Sequence, residues 1–271
     1  MALTAEEVAA QKEQTRKQWN ANPCGQVGDI EYSPEYFENV EEYRYNGYGD
    51  WMRDFYRYDD HEGVKLLEVG FGQGTDLVQY AKGGAECYGV DITENHRELA
   101  IANFSSRGLN AELFLEDAAD LHFENGYFDK VVSFGVLHHT PDIEQCVDEV
   151  HRVLKDGGEF VISLYHKNSA FWWFTKFLKE GIFKGKLLSI GYSGLKATIE
   201  RGADGKEIKP YVKLYTRRSL RKLLKDFSKV EIHVKHLYGK NFWPLGRFIP
   251  KPILRALEPR LGWYVIARAI K

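Results

Sequence analysis

The chain has 271 residues, 44% hydrophobic, 14% aromatic and 28% charged, with a formal net charge of −2. That length allows one large domain, or one domain with an appended cap, and the composition is that of an ordinary globular protein. There is no apolar run of about 18 residues to span a membrane. The polar N-terminus lacks the form of a secretory signal, and Cys24, Cys87 and Cys146 include no C-x-x-C pair, so neither a disulfide framework nor a structural zinc site is expected. A cytoplasmic location follows as the expectation.

The near-zero net charge conceals a split. Residues 1–165 carry 13 Lys and Arg against 32 Asp and Glu, whereas residues 166–271 carry 24 against 7. Such a chain either presents faces of opposite sign, the basic one open to an anionic partner, or neutralises itself by packing its halves together.

Ahead of Lys65, "QWNANPCG" and "EYFENVEEYRYNGYGDWM" mix turn residues with clustered tyrosines. This reads either as a cap or lid over residues 1–60 or as a short helical extension packed on a sheet. From Lys65 to Tyr165 short apolar runs alternate with helical periods. Strands are predicted at 65–70, 87–91, 111–117, 130–135 and 158–165, each bounded by Gly, Asp or Asn. Helices are predicted at 75–82, 93–107 and 142–155, the second opened by a Thr cap and the third stopped by Gly157-Gly158. Strands alternating with helices build a parallel sheet covered on both faces. Past Tyr165 an aromatic, basic stretch (169–196) and a polar loop (200–210) interrupt the alternation. A helix at 217–227 and strands at 229–236 and 262–270 then resume it, separated by a Pro-broken, aromatic and basic stretch.

The first strand runs into "LLEVGFGQGTDL" (66–77), where Gly70, Gly72 and Gly74 make a tight strand-to-helix turn that lets a ligand approach backbone. The third glycine follows the second by two residues, where a dinucleotide fingerprint wants three. Glu68 offers a carboxylate to an ammonium group beside the turn. Asp91 ends the second strand, about twenty residues past the glycine loop, where a carboxylate accepts both hydroxyls of a ribose. Asp117 and the Ala118 amide, at the third strand's end, can read the edge of a base. Strand ends bearing these groups in order describe a ligand crevice.

Together, "LLEVGFGQGTDL", "GVDIT", "EDAADLHF", "FDKVVSFGVLHHTPD" and "EVHRVLKDGGEFVISLY" resemble the class I S-adenosylmethionine-dependent methyltransferases, in the branch of ubiquinone/menaquinone methyltransferase-like enzymes with Leu-His-His after the fourth strand. The resemblance covers residues 64–165 motif by motif and implies an α/β, Rossmann-like, doubly wound fold with a mostly parallel seven-stranded sheet. Its parts would be an N-terminal cap (1–60), a cofactor-binding core (61–165 and 211–271) and an insertion after the fifth strand (166–210). The implied cofactor is S-adenosyl-L-methionine. Glu68, Gly70, Phe71, Gly72 and Gly74 would line its methionine moiety, Asp91 its ribose, and Ile92, Asp117 and Ala118 its adenine. Ser133, Phe134 and His138 would stand near the transferable methyl, and Tyr45 would be a lid contact.

Methyl transfer is an in-line displacement dominated by alignment and desolvation, and a base is needed only if the nucleophile must lose a proton. His138 and, at the end of the fifth strand, His166 are the candidate bases; the alternative is that they only pack. Adjacent histidines do not converge on a metal, and none is expected. The acceptor is expected to be a small, hydrophobic or lipid-like molecule. The aromatic basic stretches 169–188 and 242–257 either touch a membrane surface or wall the acceptor pocket or a dimer contact. Nucleic acid is not expected, because no RNA-binding module is recognisable. Other readings are a non-catalytic cofactor-binding subunit on the same scaffold, an RNA methyltransferase, and a NAD-dependent oxidoreductase, the last disfavoured by the glycine spacing.

Overall fold

The computed structural model describes residues 4–244 and 246–271. Residues 1–3 of the expected cap and Leu245 of the 242–257 stretch lie outside the described residues. The seven strands are β1 (Lys65–Val69), β2 (Glu86–Asp91), β3 (Glu112–Leu115), β4 (Phe128–Phe134), β5 (Leu154–Tyr165), β6 (Lys229–Lys235) and β7 (Tyr264–Ile270). They lie in the order β3-β2-β1-β4-β5-β7-β6. The first five are mutually parallel, and β7 runs antiparallel to both β5 and β6.

Because side chains alternate along a strand, Leu66, Val132, Val161 and Ile266 face one side, while Leu67, Val131, Phe160 and Val265 face the other. The second face is covered by α6 (Ile143–Val153) and α8 (Arg217–Leu223), through Cys146, Val147, Val150 and Leu220. The first is covered by α3 (Met52–Tyr56), α4 (Thr75–Lys82) and α5 (Glu94–Ser106), and by Trp172 from the segment after β5. Two buried faces explain why the central strands read as near-continuous apolar runs.

Several elements differ from the expectation. An N-terminal helix, α1 (Ala5–Ala21), starts at a capping box in which Thr4 Oγ1 accepts from the Glu7 amide and Glu7 accepts from the Thr4 amide. It buries only two side chains, both polar, Thr15 and Gln18, so it carries no apolar stripe for a pattern to reveal. After α2 (Pro34–Glu42), capped by Ser33, the chain continues as a π-helical turn over Tyr43–Tyr48. The helix expected at 142–155 stops at Val153, because Leu154 already pairs with Phe128 in the sheet. The aromatic segment after β5 is a π-helix, Phe171–Phe183, followed by α7 (Lys186–Ala197). The Pro-broken stretch contains α9 (Lys251–Leu261), whose Pro252 sits in the first turn, where a missing N–H costs nothing.

Candidate active site

The strand order reverses between β1 and β4, and beyond their carboxyl ends lies a cavity of about 370 Å³, the crevice position expected of a doubly wound sheet. Its first half is built on β1, β2 and β3. The Gly70 amide donates to the Val90 carbonyl at 2.7 Å. Gly70 holds φ +76°, and a Cβ there would meet the Val136 side chain at 2.4 Å. No other residue type fits that turn.

Asp91 is buried at the end of β2. Its Oδ2 accepts from the Gly72 amide (3.1 Å) and faces His96 Nδ1 (3.1 Å); its Oδ1 accepts from the Thr93 amide (2.9 Å) and hydroxyl (2.5 Å). Burial alone would raise this carboxyl, but His96, Thr93 and the Gly72 amide outweigh it and hold it below its ordinary range. His96 Nε2 accepts from the Cys24 amide at 3.4 Å, so one imidazole ties the loop after α1 to Asp91. Asp117, past β3, accepts from Lys12 Nζ of α1 at 2.6 Å and from the Ala119 amide at 3.0 Å.

Glu68, fully enclosed on β1, has an Oε2 without a hydrogen-bond partner. Burial pushes its carboxyl well above the usual range, and the nearby Asp76 carboxylate adds to the rise. Asp76 itself is saturated: it accepts from Arg44 Nε (3.0 Å) and Nη2, from the Tyr45 hydroxyl (2.6 Å) and from the Tyr58 hydroxyl (3.1 Å). Arg44 spans the cavity wall, its guanidinium 4.5 Å from the Phe134 ring centre.

The second half stands over β4 and β5. His139, in the 3-10 turn after β4, donates from Nδ1 to the Tyr211 carbonyl at 2.9 Å, and its ring meets Trp19 edge-on at 5.2 Å. Its Nε2 lies 3.8 Å from Glu200 Oε1, too far for a hydrogen bond, and both atoms are buried without a partner. Burial raises the Glu200 carboxyl, with His139 opposing. Trp19, Tyr43, Tyr48, Tyr165 and Tyr264 complete an aromatic wall. The roof is α1: Thr15 donates to the His139 carbonyl (3.2 Å), and Gln18 Nε2 to the Arg201 carbonyl (2.5 Å).

Of the residues singled out in the sequence, Glu68, Gly70, Phe71, Gly72, Asp91, Ile92, Asp117, Ala118 and Phe134 line this cavity. The other five do not. Tyr45 is buried behind it, spent on Asp76, and its neighbour Arg44 takes the cavity position. Gly74 caps α4 behind the loop, where a Cβ would press on Ala100 at 3.2 Å. Ser133 points into the sheet and donates to the Val69 carbonyl at 3.1 Å. His138 is wholly buried against the Tyr165 ring, 3.8 Å between centres, and burial holds it well below its ordinary pKa. His166 faces the Gly262 carbonyl at 3.0 Å, away from the cavity. Neither His138 nor His166, the expected bases, faces the cavity; His139 does, because the turn after β4 sends successive side chains to opposite sides. Lys12, Arg44, Asp76, His96 and Glu200 were not anticipated. Asp76 alone had a local signal, as a first-turn acid after the glycine loop.

A crevice at the switch point, with a carboxylate at the end of β2 and a glycine turn at the end of β1, is the arrangement of a nucleotide-cofactor-binding α/β fold. Residues 67–162 match the methyltransferase domain family. An uncharacterized protein of Methanocaldococcus jannaschii is 28% identical over 81% of this chain and 81% of its own length. The sterol 4-C-methyltransferase of Caenorhabditis elegans is 30% identical over 37% of this chain; the match spans only 31% of that enzyme. An S-adenosylmethionine-dependent methyltransferase structure from Methanosarcina mazei superposes with a TM-score of 0.55 at 22% identity, covering 80% of this chain and 96% of that one. Residues 67–162 therefore form a methyltransferase domain of the class I S-adenosylmethionine-dependent type, and S-adenosylmethionine is the cofactor that this domain implies.

The cavity fits that cofactor. An enclosed, unpartnered Glu68 oxygen suits an ammonium and Arg44 beside it a carboxylate, while Asp91, which lines the cavity, would take a diol by exchanging hydrogen bonds it now makes with Thr93, His96 and Gly72.

Proposed function

We propose that this protein methylates a small, apolar acceptor through a proton-bearing nucleophile, with His139 as the proton acceptor. The reading is carried by the His139–Glu200 pair: two buried polar atoms 3.8 Å apart, unpartnered, on the β4–β5 side of the cavity. A buried unsatisfied polar atom costs about 1–3 kcal/mol, a cost that a bound nucleophile would relieve. Acceptor size is bounded by the cavity, whose 370 Å³ lies near the low end for a single ligand site and is shared with the cofactor. The aromatic wall favours an apolar group, and the likeness to a sterol methyltransferase points the same way, although it spans only part of that enzyme.

In this reading Glu68 and Arg44 hold the amino-acid end of the cofactor and Asp91 its ribose, while Ile92, Asp117 and Ala118 flank its adenine. When bound, S-adenosylmethionine supplies an electrophilic methyl on a sulfonium, with a neutral thioether as leaving group. The Tyr211 carbonyl fixes the His139 tautomer by accepting a hydrogen bond from Nδ1–H, which leaves Nε2 with a lone pair. That lone pair takes the acceptor's proton as the new bond forms, and Glu200 stabilises the resulting imidazolium. Thr15, Gln18 and Trp19 close the roof and exclude water.

The test offers methyl-labelled S-adenosylmethionine to the pure protein with chloroform-soluble and water-soluble small-molecule fractions of a cell extract. Label is expected in the chloroform-soluble products. Label confined to the water-soluble products, or absent from both fractions, overturns the acceptor class.

A further inference from the structure

Beyond the cavity, the most unusual surface belongs to the segment after β5 and the approach to α9. The π-helix packs against the chain at 241–243: Thr175 donates to the Asn241 carbonyl at 3.2 Å, and the Phe183 and Trp243 rings lie 5.1 Å apart. Around that seam Leu188 is 95% exposed, Phe183 and Phe248 are 67% exposed, and Ile182, Ile253 and Trp173 are also exposed. Residues 171–197 and 239–257 contain nine Lys and Arg and one acid, Glu180. Glu180 is taken up by Lys176 (3.4 Å) and Lys186 (2.9 Å). Lys179, Lys184, Lys251 and Arg255 make no ion pair among the described residues.

We propose that this face docks on an anionic lipid bilayer. Exposed aliphatic and aromatic side chains in one patch mark an interaction surface, and the accompanying charge selects the partner. Seven of the nine cations are lysines, which protein interfaces deplete. At a lipid surface, by contrast, long lysine stems lie along the apolar layer while their ammonium groups reach anionic headgroups. No helix among the described residues is long and apolar enough to cross a membrane, so the contact lies in the interface plane. The same segment ends at Glu200 and Arg201 in the cavity wall, which joins the docking face to the acceptor side. Docking holds whatever the acceptor proves to be.

The experiment is flotation of the full chain with vesicles of equimolar phosphatidylcholine and phosphatidylglycerol, compared with pure phosphatidylcholine. Two double variants, F183S/L188S and K184E/K251E, alter only exposed side chains outside the cavity; unchanged S-adenosylmethionine binding verifies their fold. The wild type is expected to associate at least about tenfold more with the anionic vesicles, more weakly at high salt, and each variant is expected to lose about tenfold. No flotation with anionic vesicles overturns the proposal, as does flotation insensitive to both variants. If the wild type does not float but binds a short RNA, or self-associates in sedimentation until F183S/L188S is introduced, the face belongs to that partner instead and the proposal fails.

Discussion

The two halves of the crevice are built differently. The half over β1–β3 is drawn from a single stretch: Glu68, Gly70, Phe71, Gly72, Asp91, Ile92, Asp117 and Ala118 all lie within about fifty residues. Each of them ends a strand or opens the turn after it. The half over β4 and β5 draws Thr15 and Trp19 from α1, Arg44 from the π-helical turn, His139 from the loop after β4, Tyr165 from β5 and Glu200 from the insertion. Both halves hold an unpartnered buried atom: Glu68 Oε2 stands beside Asp91, which makes four hydrogen bonds of its own, and His139 Nε2 faces Glu200 Oε1 across the second half. The contrast teaches that the β1–β3 side of the cavity is drawn mainly from one stretch of chain, joined to distant segments through Arg44 and Lys12, while the β4–β5 side exists only once those segments have closed over the sheet.

Breaking either half should leave the other standing. The largest effect is expected from Asp91→Ala, which should weaken S-adenosylmethionine binding at least about 100-fold, since charged hydrogen bonds contribute about 1.5–3 kcal/mol each. Calorimetric titration measures this, with Tm alongside because Asp91 also holds Gly72 and Thr93; a threefold loss would place the ribose elsewhere. In the second half, His139→Ala should lower methyl transfer about 100-fold while the cofactor Kd stays the same. His138→Ala should instead lower Tm, having removed a ring packed on Tyr165, and leave the pH profile of transfer unmoved. Loss of transfer in both variants, with one shared pH profile, would erase the distinction between the two histidines.

A smaller effect separates Glu68 from the rest of the first half. Its buried carboxyl is protonated until well above the usual range, so pairing with an ammonium requires release of a proton. Cofactor affinity should therefore rise with pH through the raised pKa and then level off, and Glu68→Gln should be about tenfold weaker with a flat profile. Titrations at several pH values decide it, and a wild-type profile that is already flat would refute the pairing.

The last prediction concerns stability. Burial lowers His236 to about 4, with Lys240 adding to the shift. The unfolded chain, with its histidine near pKa 6.5, binds more protons below that pH than the folded one. Its contribution is therefore fully present above about pH 6.5 and is lost as pH falls toward 4, up to about 3 kcal/mol. Denaturant melts at pH 7.5, 6 and 5 should show the decline. His236→Phe, set among the Tyr48, Tyr238 and Tyr264 rings, should reduce its slope.

Much of this architecture is written locally. Every strand of the sheet could be placed from alternating or continuous apolar runs bounded by turn residues, since strands buried on both faces must be apolar throughout. The glycine turn, Asp91 and Asp117 could be placed on the cavity for the same reason: each position depends on a backbone shape or strand end a few residues long. Helix α1 could not, because it packs by the polar side chains Thr15 and Gln18 and leaves no apolar stripe. Nor could α9 be seen behind its prolines. The choice between His138 and His139 lay beyond any pattern, for one turn of backbone decides which ring enters the cavity and which packs beneath Tyr165. Glu200 stands 61 residues past its partner His139, and only the path of the insertion across the sheet brings them within 3.8 Å. Sequence alone therefore determined the sheet, the cofactor turn and its acidic strand ends, whose physics is short-ranged. The far side of the cavity, and which histidine faces it, were decided by tertiary structure, because they depend on how distant segments pack together.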